Sequence, residues 1–211
     1  MSKINITIYI LFIWTLNSCR ISYLSDDAKE RIPLHSIIAI APPKLNVSGY
    51  PLMKDEKLLD LYYRESFNFQ KSLLFELNEK RFEGKLNIKI QDPDQTNLIL
   101  EEFLPFKVHL IEPEDLCKIL QVDAVIISEY TVVKPTSVAS SIVSASILGQ
   151  PTTTNFIEVD LNIHDQKSSY SCWSYKNRAA GNFFTPLPLL LSGLLNDVSR
   201  EIPYARKKIK W

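Results

Sequence analysis

The chain has 211 residues, 24 Lys+Arg against 24 Asp+Glu, and a formal net charge of zero. That balance argues against a nucleic-acid partner, which needs a basic excess. The length suits one domain with a substantial core. In chain order, Lys3 gives a short positive region, and Ile4 to Leu16 is an almost unbroken apolar run. At about 13 residues this run is too short for a hydrocarbon core that needs ~20, and it has the size of a secretory h-region. No second apolar stretch of spanning length follows, so the remainder is expected to be soluble and held at a lipid surface.

Next comes Leu16-Asn17-Ser18-Cys19. It resembles a lipobox, the bacterial lipoprotein signal: an aliphatic residue at −3, a small one at −1, then the cysteine whose thiol takes the lipid. Asn17 departs from the usual small residue at −2. The competing readings are an uncleaved signal anchor and a buried first helix with an incidental cysteine. The resemblance implies a signal peptide over 1–18, lipidation at Cys19 and a membrane partner reached through the palmitate-type anchor. Arg20, in place of Asp, implies by enterobacterial sorting an outer-membrane lipoprotein facing the periplasm. Cleavage would remove one charge, Lys3, and leave the balance near neutral.

Residues 19–35 are polar without a period and read as the lipidated cysteine and a tether. A single α/β domain is expected over 36–205, with a basic tail at 206–211. Ser36 to Ala41 is apolar on both faces, as in a central covered strand, and Pro42-Pro43 stops it. A loop with Gly49 and Pro51 leads to a long helix, about Lys54 to Phe82. Its stripe is Leu58, Tyr62, Phe69, Leu73 and Leu77, widened by Leu59, Tyr63, Phe67 and Leu74, and Gly84 marks its exit. Leu86 to Ile90 alternates as a half-exposed strand. Asp92-Pro93-Asp94 begins a turn or short helix through Glu102. Glu112-Pro113-Glu114-Asp115 is a helix start, and Asp123 to Tyr130 is a second two-sided strand. Phe156 to His164 and Tyr170 to Tyr175 form a β-hairpin. Thr185-Pro186 caps a last helix along Leu187, Leu190, Leu191, Leu194, Leu195, Val198 and Ile202, ended by Pro203. The expected fold is α/β, a mixed sheet of about five strands with helices packed on it, closing with the hairpin and a helix.

One segment stands apart. From Pro135 to Phe156 there is no charge, in a chain that is 23% charged. Val138, Ile142 and Ala145 recur near helical spacing. A small-residue helix packed on the domain is one reading. The other is a surface element whose Val138, Ile142, Ile147 and Leu148 meet a partner or the membrane.

The order of elements resembles periplasmic α/β domains such as the TolB amino-terminal domain and the curli-secretion-type lipoproteins. It is closer still to outer-membrane lipoproteins of Bacteroidetes-type bacteria. The resembling stretches are Ile38-Ala39-Ile40-Ala41-Pro42, Val122-Asp123-Ala124-Val125-Ile126, the small-residue insertion ending in Thr154-Asn155, and Trp173-Ser174-Tyr175 followed by Ala180-Gly181 and the last helix to Pro203-Tyr204. The resemblance covers most of 36–204. It implies a scaffold, assembly factor or secretion subunit that binds an envelope protein and self-associates, not an enzyme. The 136–150 segment lacks the long alternation of a transmembrane hairpin, so no pore is implied.

No catalytic or metal constellation is visible. His35, His109 and His164 have no second ligand at metal spacing, and Cys117 and Cys172 stand alone, read as small buried hydrophobes. The five glycines form no phosphate-cradling cluster, so no cofactor is expected. Asp92, Asp94, Glu101 and Glu102 are the carboxylates a cell-wall hydrolase would have to use. His164-Asp165 near Ser168 is rejected as a hydrolase site, for lack of oxyanion donors around so short a turn. The leading expectation is a non-catalytic, membrane-anchored binding, scaffold or assembly protein. A secretion-channel-like subunit and the carboxylate hydrolase are the alternatives.

Overall fold

Two runs of alternating and two-sided apolar residues dominate the chain, and they become the centre of a seven-stranded mixed sheet. The computed structural model describes residues 20–48, 55–103, 105–133, 155–181 and 185–204. The strands are β1 (Ile21–Leu24), β2 (Ile37–Ile40), β3 (Lys44–Ser48), β4 (Lys89–Ile90), β5 (Ala124–Val133), β6 (Asn155–Asp165) and β7 (Ser168–Gly181). The helices are α1 (Ala28–Arg31), α2 (Asp55–Phe82), α3 (Pro93–Ile99), α4 (Pro113–Leu120) and α5 (Leu187–Glu201), with 3₁₀ turns at Ile32–Leu34 and Pro105–Leu110. The order across the sheet is β1-β7-β6-β5-β2-β4, with β3 also paired to β5. Pairings around β2 and β3 are parallel, and those of the hairpin are antiparallel.

The α/β class is as expected, and so is the two-sided burial. Ile38, Ala39, Ile40 and Ala41 are all essentially inaccessible. Ile38 and Ile40 face a core with Phe69, Leu73 and Leu77 of α2 and Leu194, Leu195 and Val198 of α5. Ala39 and Ala41 face a second core with Leu116 and Leu120 of α4 and Val108. Small alanines let the second layer approach closely. Farther out, β6 buries Ile157, Val159, Leu161 and Ile163 on one face and leaves the other half-open, which is why it alternates.

Two strands exceed the expected five. Pro42-Pro43 was expected to end its strand, yet the chain resumes on the same neighbour as β3. Ile40 pairs with Ile126 and Lys44 with Glu129, so four residues on one side match three on the other. The prolines, lacking N–H donors, are accommodated as a bulge. Residues 20–35, read as a tether, also fold onto the domain. β1 pairs antiparallel with β7, Ile21 opposite Lys176 and Leu24 opposite Trp173, and Arg20 meets Glu201 at 3.1 Å. Exposed on both faces, an edge strand of this kind carries no periodicity to read.

Smaller differences are local. The strand expected over 86–90 is regular only at Lys89–Ile90, although Leu86 and Ile88 are buried in the expected alternation. Gly84 leaves α2 at φ +69, as its position suggested. At α5 the capping position is held by Pro186, which offers no side-chain hydrogen bond. Among the described residues no helix is long and apolar enough to cross a membrane.

Candidate functional site

Cys19 and the four residues of the uncharged stretch (Val138, Ile142, Ile147 and Leu148) lie outside the described residues, as do 1–18 and 205–211. What flanks them is informative. β1 runs antiparallel to β7, so the chain before Ile21 heads toward the Gly181 end of β7. The uncharged stretch leaves from Val133 and returns at Asn155, which pairs with Gly181. Arg20, Val133 and Asn155 therefore lie toward the same end of the sheet.

At the opposite end lies a closed polar cluster. Asp165, 1% exposed at the hairpin turn, accepts from Arg31 Nη1 (2.8 Å), the Lys167 amide (2.9 Å) and Cys172 Sγ (3.3 Å), and it meets His35 Nε2 at 3.4 Å. His35 Nδ1 lies 2.8 Å from the Tyr204 hydroxyl. Burial pushes the His35 imidazole below its ordinary value, against the pull of Asp165. A neutral ring that donates from Nε2 to Asp165 then accepts a hydrogen bond from the Tyr204 hydroxyl at Nδ1. Burial raises the Tyr204 hydroxyl as well, and it pushes both the Cys117 and Cys172 thiols up to about 12. Thiols so far from ionisation are not nucleophiles. They are free and buried, as expected of small hydrophobes. The cavity beside Arg31, His35 and Asp165 measures only ≈ 130 Å³. The cluster binds the N-terminal arm, the hairpin turn and the end of α5 together.

An open groove of ≈ 670 Å³ lies where β2 runs out into Pro42, between the first half of α2 and the segment from α3 to the second 3₁₀ turn. Its volume is in the range of ligand sites, and its place beyond the carboxyl end of a parallel strand is where open α/β sheets bind. The walls are Tyr63, Phe67, Leu100, Phe103 and Val108. The floor is polar. Gln70, fully buried, donates to the Ile40 carbonyl (2.8 Å) and exchanges hydrogen bonds with Asn97 (3.1 and 3.0 Å). Ser66, 2% exposed, also lines the groove, and its hydroxyl has no partner among the described residues. A buried orphan hydroxyl costs about 1–3 kcal/mol, so a native one calls for an explanation.

The groove changes the reading of α2. Leu58, Leu59, Tyr63 and Phe67, expected in the buried stripe, are exposed, while Phe69, Leu73 and Leu77 are buried as expected. The first half of the helix buries Leu61 and Ser66, with the Tyr62 hydroxyl donating to the Pro43 carbonyl, and presents Tyr63 and Phe67 as a wall of the groove. Ser66 and Gln70 were not singled out by sequence. The signal was available, because they continue the four-residue steps from Tyr62 as polar interruptions of an apolar stripe.

Of the four carboxylates, Asp94 and Glu101 stand on the groove's rim, while Asp92 and Glu102 do not line it. Asp92 caps α3 by accepting from the Asp94 amide (2.8 Å), and Lys71 holds Asp92 and Asp94 at 3.1 and 2.7 Å. That amide, with Lys71, lowers the Asp92 carboxyl. A glycosidase acid must instead be raised. Burial lowers His109, with Lys44 adding to the effect, and His164 lies within β6 opposite Val125. No three His, Cys, Asp or Glu gather as a metal site among the described residues.

No family model matches the chain, and no curated protein matches it. Among solved structures it is similar to the lipoprotein GNA1162 of Neisseria meningitidis, at 13% identity over 79% of this chain and 99% of that one, TM-score 0.41. It is also similar to the PelC dodecamer of Paraburkholderia phytofirmans, at 10% identity over 90% of this chain and 100% of that one, TM-score 0.45.

Proposed function

We propose that the chain is an envelope lipoprotein, lipidated at Cys19, whose α/β domain is a non-catalytic binding or assembly module at the periplasmic face of the outer membrane. The observation that carries this reading is β1. Two residues after Cys19 the chain enters the sheet, and Arg20 is already paired to Glu201. A lipid at that point holds the domain in a set pose against the bilayer, where a loose arm would let it tumble. Acyl chains contribute ~0.8 kcal/mol per buried CH₂, enough with two chains to keep it there.

Asp94, the groove carboxylate bound by Lys71 at 2.7 Å, is ion-paired, which favours binding over hydrolysis there. The test is fatty-acid labelling of the protein in its host envelope beside Cys19→Ala, with membrane fractionation of both. Label and membrane association should be lost together in the variant. Unchanged labelling of Cys19→Ala would overturn the reading.

A further inference from the structure

The groove's occupant can be read from its charges and from where the chain leaves the fold. Asp94 is neutralised by Lys71, which also sits 5.1 Å over the Phe67 ring, and Arg64 reaches its neighbour Glu65 at 3.7 Å. Asp60 and Glu101 remain on the rim without an ion-pair partner among the described residues. The groove therefore combines aromatic walls with two unpaired carboxylates. The complementary ligand has cations and an apolar or aromatic side chain.

Residues 205–211, Ala-Arg-Lys-Lys-Ile-Lys-Trp, have this chemistry: four cations around Ile209 and Trp211. We propose that the groove receives the 205–211 segment of a second copy of this chain. This deepens the assembly reading above, and it rests on that reading only for where the copies meet.

Reach favours the second copy over the same one. Tyr204 is fixed beside His35 and, through its carbonyl, to the Asn87 amide, both at the start of the β2–β4 edge. The groove begins at Pro42, beyond the far end of β2. Trp211 lies seven residues past Tyr204, a span of at most ~25 Å fully extended. His35 to Pro42 along the strand is the same number of residues, so within one copy the segment reaches the rim with nothing left to enter. A neighbouring copy can bring its groove directly beside Tyr204. Donor and acceptor surfaces then differ, so the contact is head-to-tail and continues past a dimer, to a ring or a chain.

The test is sedimentation velocity on the detergent-extracted full chain. Wild type should associate beyond a dimer, more weakly as salt rises and screens the charges. The segment variant Ile209→Ala/Trp211→Ala and the groove variant Asp60→Lys/Glu101→Lys should each weaken self-association by about tenfold or more, as loss of an interface anchor does. Mixing the two variants should give one-to-one pairs and nothing larger, since each supplies only the half the other lacks. Adding Lys207→Glu, Lys208→Glu and Lys210→Glu to the groove variant should restore association by charge exchange. A wild type that stays monomeric, variants that assemble like wild type, or mixtures that form no pairs would each overturn the proposal. Lipid labelling of the same preparations is read separately, so an unlabelled but assembling protein sinks the anchor and spares the groove.

Discussion

The two ends of β2 solve the same problem in opposite ways. At the His35 end a buried carboxylate is surrounded by donors from the arm, the turn and β7, and the space left over is small. At the Pro42 end the fully buried Gln70 amide is satisfied through the half-buried Asn97 and the Ile40 carbonyl, but the neighbouring Ser66 hydroxyl is not, and the space is several times larger. Burial of polar groups therefore does not identify a binding site. What separates the two ends is the space left over, since each keeps a buried polar atom without a partner among the described residues, Arg31 Nε at the closed end and the Ser66 hydroxyl at the open one.

That contrast can be broken from the closed end first. Asp165→Ala leaves Arg31 only its pair with the exposed Asp27 at 3.0 Å and strands the Lys167 amide, and it should cost about 3 kcal/mol in urea unfolding. A loss below about 1 kcal/mol would mean the cluster contributes little. Next, Gln70→Ala strands the Ile40 carbonyl and the Asn97 side chain, and should cost about 1–3 kcal/mol. Ser66→Ala should behave in the opposite sense. It removes an unsatisfied group, so stability should hold or rise by about 1 kcal/mol. If Ser66→Ala destabilises as much as Gln70→Ala, the hydroxyl is not an orphan and the distinction fails.

The smallest expected effect is the pH dependence of the closed end. His35 has its folded pKa depressed below the unfolded value, so between the two the unfolded chain binds more protons. Its contribution is intact above the unfolded value near 6.5 and is lost as pH falls below it. Melting temperature should drop between pH 7.5 and 5.5, and drop less in His35→Gln. Equal slopes in the two proteins would assign the dependence elsewhere.

The sequence was most legible where burial is complete or strictly alternating. β2, β5, the hairpin and the cores of α2, α4 and α5 all lie where the pattern places them, since each has a face that must avoid water. β1 was not legible, because all four of its residues are exposed and its stability comes from backbone pairing with β7. β3 was hidden by Pro42-Pro43, a stop signal that the sheet converts to a bulge. The closed cluster joins residues 134 positions apart in the Arg31–Asp165 pair, and local pattern does not carry such pairings. The groove was half-written in α2, where Ser66 and Gln70 break the stripe. Recognising it also required knowing that Tyr63 and Phe67 stand open beside that face.

The two thiols have a practical consequence. Cys117 and Cys172 sit at zero exposure with their ionisation pushed far above neutral, so an alkylating reagent cannot modify them while the fold is closed. Modification at either position must wait for the chain to open around it. One thiol sits in each of the two cores, on opposite faces of the sheet. Their separate labelling rates thus act as two clocks, timing how often the α2–α5 layer and the α4 layer each breathe. The protein carries this pair of gauges without any engineered probe.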